Sequence, residues 1–521
     1  MSPRRTSLGL TGVALTGVLI AGCGGGGTGQ GPSAVPAGQQ HVLRLAFFAD
    51  IATADPDVFY DIEGDAVTQS VYDGLLHYAP NSTTLQGALA SSWSVSSDGL
   101  TYSFHLRDAQ FSDGSPVTST AVKTSFERRT KINQGPAYML ADVTGYQTPG
   151  PTVFVVHLKR PVSDFLDLMA SAWSPKIINP KVLSDNSRDD AQQYLKTNAA
   201  GTGPFMLTKF QQGTGYALTR NPHYWGPKPY FEQVQISIQP DVSSQELQLQ
   251  KGNLDAILHG VPVSSLGTLQ GTKGVTVASF PSLGTLTLAM NQNTSALSST
   301  PVRQAVVNAL NVPTLVTDVF GNHATEMPST YPAPLLPPGM SPNGHPYDAA
   351  QARATLPKGL KLKVVYTPDS SGVERRFADL MRQRLAQFGV TVTEQQVQLS
   401  TVYGYRDNTK TAADIYISTP TPDAAAADAW ARILWFTKGG LNFFNYSNPQ
   451  VDAAINAGLR TSNKAQASQS YAKAGSVATA DAGEVPIAQV DDVMAVGSGL
   501  TGVEHVPAYP WTLNLGALGR K

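Results

Sequence analysis

The chain has 521 residues, 37 of them basic and 38 acidic, with a formal net charge of −1. That balance leaves no basic field to hold a nucleic acid. A single cysteine excludes an internal disulfide framework or a thiolate metal cluster, so a hydrophobic core must hold the fold. The length exceeds what one core ordinarily covers, which predicts two or three domains.

At the N-terminus, Arg4 and Arg5 precede the uncharged stretch from Leu8 to Ile20. This reads as a secretory signal, too short for a permanent span. Ile20-Ala21-Gly22-Cys23 is similar to a bacterial lipobox, which implies cleavage before Cys23 and a lipid on its thiol. The alternative is an ordinary signal peptide with an incidental cysteine. The following residues, to 41, are mostly Gly, Ser, Pro and Gln and read as a flexible tether. Gly24, Gly26 and Gly29 fit G-x-G-x-x-G, but no strand precedes them and no helix follows, so the dinucleotide reading fails. With no second apolar segment of membrane length, the expectation is a folded body tethered at the extracytoplasmic face of the cell membrane.

The body opens with an entering strand at His41 to Phe48. Val67, Val71, Leu75 and Leu76 then fall on one helical face. Ser97-Asp98-Gly99 predicts a hairpin turn between strands at Trp93 and at Tyr102 to Leu106, and Thr118 an N-cap for a helix through Phe126. From Gly201 the sequence reads strand, turn, strand, an aromatic corner at Tyr224 and Trp225, and a further strand. A helix closed at Gly252 leads into a short strand, and Thr300 with Pro301 opens another helix. Leu360 to Tyr366, the helix ended by Gly389 and the strand from Val390 complete a strand–helix–strand step. This alternation predicts α/β lobes with mostly parallel sheets.

No nucleotide-binding, metalloprotease or serine-hydrolase motif occurs, and the nine histidines show no metal-ligand spacing. Catalytic residues, metal ligands and cofactors are therefore not expected, and the chain is not read as an enzyme. An extracytoplasmic hydrolase assembled from distant residues is the rival class.

Five stretches occur in order: "YDGLLHY", "LASSWSVSSDGLTYSFHLRDAQFSDGSPVTSTAVKTSFER", "GTGPFMLTKF", "TRNPHYWGPKPYFEQV" and "GLNFFNYSNPQVDAAI". Together they resemble the oligopeptide-, dipeptide- and nickel-binding proteins of ABC importers, bacterial extracellular solute-binding protein family 5. The resemblance implies an α/β clamshell. Lobe I would cover 42–285, with an inserted subdomain at about 59–195; lobe II would cover 286–486, and 487–521 would return to lobe I. It implies a monomeric receptor that captures peptides or peptide-like solutes and delivers them to an importer permease. A nickel chelate, sugar or other small solute on the same scaffold is the alternative.

The resemblance also implies site residues. Asp423, nine residues after Asp414 in "DIYISTPTPD", matches an aspartate that pairs with a peptide's α-amine. A loop aspartate is the bland alternative, and Asp428 is a rival. Where relatives carry an aromatic just before it, this chain has Pro420-Thr421-Pro422, with Trp430 the next aromatic. Tyr60, Asp61 and Ile62 match a loop that meets the ligand backbone, or form a surface loop. Asn291 faces the cleft or closes a strand end, and Phe443 lines the cleft or packs in the core.

Overall fold

The structure is a computed structural model and describes residues 41–521 apart from 328, 339, 341–345 and 370. Cys23, the signal segment and nearly all of the tether lie outside the described residues.

Two mixed sheets organise the chain. The first runs, in spatial order, Val275–Phe280, Asp492–Gly497, Ala256–Ile257, Val42–Phe47, Gln233–Ile238, Gly215–Arg220 and Phe205–Gln211. The second runs Ala324–Glu326, Glu484–Val490, Thr285–Met290, Ile415–Ser418, Lys361–Tyr366 and Thr391–Gln396. Parallel pairing is confined to Val42–Phe47 with its two neighbours, and to Lys361–Tyr366 with its two neighbours. The expectation of mostly parallel sheets is thereby corrected. Parallel neighbours require a crossover such as the helix Val373–Ala386, whereas hairpins and long excursions return the other strands antiparallel.

The excursion between Val42–Phe47 and Phe205–Gln211 of the first sheet carries its own four-stranded antiparallel sheet. Its strands are Ala90–Val95, Thr101–Leu106, Val153–Leu158 and Val143–Gly150, in that order. Gly99 takes the hairpin turn at φ 70°, and Thr118 Oγ1 accepts from the Ala121 amide to start the helix Ser119–Ile132. Phe126 of that helix meets Phe154 edge-on at 5.2 Å, and both are fully buried. One helix differs from its sequence pattern. It ends at Val71, and Leu76 enters a strand, because Tyr72 is extended and Gly74 lies against Ser174, whose Oγ a Cβ would meet at 2.8 Å. The helix Thr300–Ala309 takes Thr300 into its first turn, with Ser299 at the N-cap position and no side-chain cap bond.

The chain crosses from the first sheet to the second between Phe280 and Thr285, and back between Val490 and Asp492. The two crossings bind each other: the Val490 amide donates to Gly284 O (2.9 Å) and Ser282 Oγ to Val490 O (2.8 Å). Each lobe has its own buried core. The first core extends across to Trp430, Trp435, Tyr446 and Tyr471, so the inserted subdomain and the helices after Asp423 are packed together.

Candidate functional site

The loop leading to Tyr60 is fixed from below by buried charge. Arg128 bonds Asp55 and Asp57 at 2.6 and 2.5 Å, and Arg129 bonds Asp57 at 2.9 Å and Pro56 O at 2.9 Å. All four side chains are almost wholly buried. Paired guanidinium and carboxylate groups with further hydrogen bonds are the form in which such charges survive burial. The "ADPD" and "ERR" segments thus meet, and the loop they hold presents Tyr60.

Tyr60 reaches across to the second lobe, where its hydroxyl donates to Asp423 Oδ2 at 2.6 Å. Tyr138, from the turn Gly135–Leu140, donates to the same oxygen. Ser171 Oγ donates to the Asp423 carbonyl at 2.5 Å. Trp173 stands edge-on to Tyr60 at 5.4 Å and donates through Nε1 to Asp61 O at 3.1 Å. Asp423 Oδ1 receives no donor among the described residues. Burial raises the Asp423 pKa, opposed by the two phenol donors and by the positive charge of Arg432. Tyr60 and Tyr138 nonetheless keep part of their rings exposed, so this carboxylate sits just beneath a tyrosine surface.

Asp428 occupies a different setting. It pairs with Arg432 and accepts from Tyr471 Oη at 3.0 Å. Asp164, of the inserted subdomain, lies 3.6 Å from the same guanidinium. Both carboxyl groups thus address the one guanidinium. Both are buried, and neither Asp164 oxygen has a donor among the described residues. Burial and the Asp164 charge push Asp428 up to about 7, against the pull of Arg432, and burial raises Asp164 as well. Nearby, the Ser163 amide donates to Leu459 O at 3.0 Å and Arg460 pairs with Asp142 at 2.5 Å. These contacts close the inserted subdomain onto the second lobe.

A cavity of about 350 Å³ lies over the crossings, walled by both sheets. On the first-lobe side stand Phe48, Ile62 and Trp511, with His259 stacked on Trp511 at 4.2 Å and bonded to Glu63 at 2.5 Å. On the other side stand Tyr416, Thr419 and Glu374. Glu374 accepts from the Thr367 amide and Oγ1 at 3.1 Å each and from Thr419 Oγ1 at 3.2 Å. Burial, then the neighbouring Asp369 charge, push it up to about 8. Ile62 and Thr419 join this cavity to the Tyr60–Asp423 contact, two and four residues away in sequence.

Among the residues singled out from sequence, Tyr60 and Asp423 are in direct contact, Ile62 lines the cavity, and Asp61 acts through its carbonyl. Three others are packed. Asn291 is wholly buried and spends its amide on Thr409 O and Ala413 O. Trp430 is fully buried and donates to Thr330 O at 2.9 Å. Phe443 is buried against Tyr416 and Tyr403. A strand-end amide and two core aromatics satisfy polar bonding and packing needs that a short sequence window does not reveal. Tyr138, Glu374 and Trp511 carried no local signal, and only the fold brings them to the cleft.

Two lobes joined by paired crossings, with a cavity between them, form a two-lobed clamshell. Residues 84–442 match the bacterial extracellular solute-binding proteins, family 5 Middle. The chain is 31% identical over 503 residues to the probable D,D-dipeptide-binding periplasmic protein DdpA of Escherichia coli, covering 94% of this chain and 96% of that one. It superposes on the substrate-binding protein CtaP of Listeria monocytogenes with a TM-score of 0.82 at 21% identity, over 92% of this chain and 99% of that one. It also superposes on DppA of Helicobacter pylori, solved with the peptide STSA, with a TM-score of 0.77 at 22% identity, over 92% and 98% of the two chains. The chain belongs to the bacterial extracellular solute-binding proteins, family 5, the receptors that serve ABC importers. Among the described residues no helix is long and apolar enough to cross a membrane.

Proposed function

We propose that this receptor captures peptides or peptide-like solutes by their free α-amine and hands them, as a monomer, to an ABC importer permease. The observation that carries the reading is Asp423, a buried interlobe carboxylate with two phenol donors on Oδ2 and an open Oδ1. An ammonium entering there gains a charge-assisted hydrogen bond in a water-poor cleft. The Asp423-to-Thr419 loop then leads the rest of the solute toward the cavity. The lipobox-like Cys23 would hold the receptor beside its permease, with lobe I as 42–285 and 487–521 and lobe II as 286–486.

The test is native mass spectrometry of the gently purified full chain, with the released solutes sequenced. Co-purifying short peptides that are lost from Asp423→Asn support the reading. A single non-peptide mass, or peptides retained by the variant, refutes it. Mass analysis of the membrane-derived chain decides the anchor: an N-terminal diacylglyceryl group on Cys23 is expected, and an unmodified thiol would remove that part of the proposal.

A further inference from the structure

The cavity over the crossings has a one-sided charge. Asp369, Glu374, Asp491 and Asp492 line it, and no lysine or arginine does. Its two histidines are already engaged: His259 with Glu63 and Trp511, His323 with Ser279. The four acids are not equivalent. Asp369 caps the helix Val373–Ala386 by accepting from the Gly372 amide, Asp491 accepts from Ser279 Oγ at 2.7 Å, and Asp492 accepts from the Trp511 amide at 2.7 Å. Glu374 is tied mainly by Oε2, and its Oε1 has a single hydroxyl donor at 3.2 Å. It is nearly fully buried and lines the cavity. Around it, Phe48, Phe320, Tyr416 and Trp511 supply apolar and π surface.

A free carboxylate placed here would meet acids and no lysine or arginine, whereas a cationic head would draw the proton off Glu374 and pair with the carboxylate it leaves, in a setting where water screens little. A basic side chain would lay its aliphatic stem and cationic head against the rings and end on a carboxylate. Thr419, which bonds Glu374, is four residues from Asp423, so the two acids' loop contacts are separated by at most about 14 Å of extended chain. A short peptide covers that span.

We infer that the solute carries a second positive charge, a lysine- or arginine-type group, into the cavity at Glu374, so that the receptor selects basic peptides over neutral and acidic ones. This rests on the α-amine reading of Asp423. The difference expected of a charge-assisted contact is roughly tenfold or more in binding.

The test uses the full chain and two digests of the same casein, one tryptic, with peptides ending in Lys or Arg, and one cut after Glu. Bound peptides are recovered and their charge distribution is compared with the input. Basic peptides enriched at least tenfold, with Glu374→Gln reducing that enrichment below threefold, support the inference. A bound set that mirrors the input, or favours acidic peptides, overturns it while leaving the peptide reading intact. No bound peptide from either digest, by a chain whose melting is cooperative, overturns the peptide reading and this inference together. If Glu374→Gln fails to fold, the wild-type enrichment alone decides.

Discussion

Asp164→Asn tests the buried contact between the inserted subdomain and the second lobe. In the closed molecule two carboxyl groups share one guanidinium, that of Arg432, and neither oxygen of Asp164 has a donor. One proton between them makes the group neutral; without it, one negative charge stays buried and uncompensated. The groups facing the pair are Arg432, Arg460, Asp167 and Tyr471. Opening separates and hydrates the acids, returning them toward the ordinary carboxyl value of 3.8, whereas closure holds Asp428 at about 7. The sign follows: the raised pKa favours closure fully below the ordinary value, and that contribution is lost as pH rises through about 7. Within the window the slope is about 1.4 kcal/mol per pH unit and halves at its upper end, so pH 5 to 7 removes roughly 2 kcal/mol, a few tens of fold in the closed-to-open ratio. The amide of Ser163, bonded across the interface to Leu459 O, reports opening directly through its hydrogen-exchange protection, corrected for intrinsic exchange. In the wild type this protection falls steeply from pH 5 to 7. In Asp164→Asn the new amide supplies the missing donor and the fall disappears. An unchanged pH slope in the variant would show that the carboxyl pair does not govern closure.

Arg129→Met leaves the buried Asp55 and Asp57 carboxylates with only the Arg128 cation between them, one negative charge uncompensated, and should destabilise the chain by about 3–5 kcal/mol, read as a fall in denaturant midpoint; a loss below about 1 kcal/mol would contradict the role given to this clamp. Trp430→Ala leaves a cavity in the packed flank and strands Thr330 O, at a cost of about 3–5 kcal/mol, while the bound-solute spectrum of the folded fraction stays the same. A changed solute spectrum would return Trp430 to the ligand site. Gly203→Ala places a Cβ 2.4 Å from Ser70 O, and Gly201→Ala places one 2.1 Å from Val71 O, so each should lower the thermal midpoint sharply and reduce soluble yield. A normal melting curve for both would show that the backbone there moves freely.

The glycines of "GTGPF" show how much a motif states locally. Their presence is visible in sequence, but the helix-end carbonyls of Ser70 and Val71 that forbid a Cβ lie about 130 residues earlier. Likewise nothing local in "ADPD" or "ERR" signals burial. Four of their five charges, all but Glu127, are buried together because the inserted sheet folds the helix Ser119–Ile132 back over the loop. The mostly parallel expectation failed for a related reason. Strand periodicity records which face is buried, not which way the neighbouring strand runs.

By itself the sequence determined the local elements, because hydrophobic period, caps and turn residues act within a few positions. Asp423 was reached only through the family resemblance, which implies an aspartate at that offset from the strand. Tertiary structure alone decided what surrounds that carboxylate: Tyr138 is 285 positions away, and Tyr60 is 363. The same holds for the carboxyl pair of Asp164 and Asp428 and for the acidic wall at Glu374. Burial and shared charge set the behaviour of these groups, and both depend on partners that the chain brings together only when its two lobes are packed.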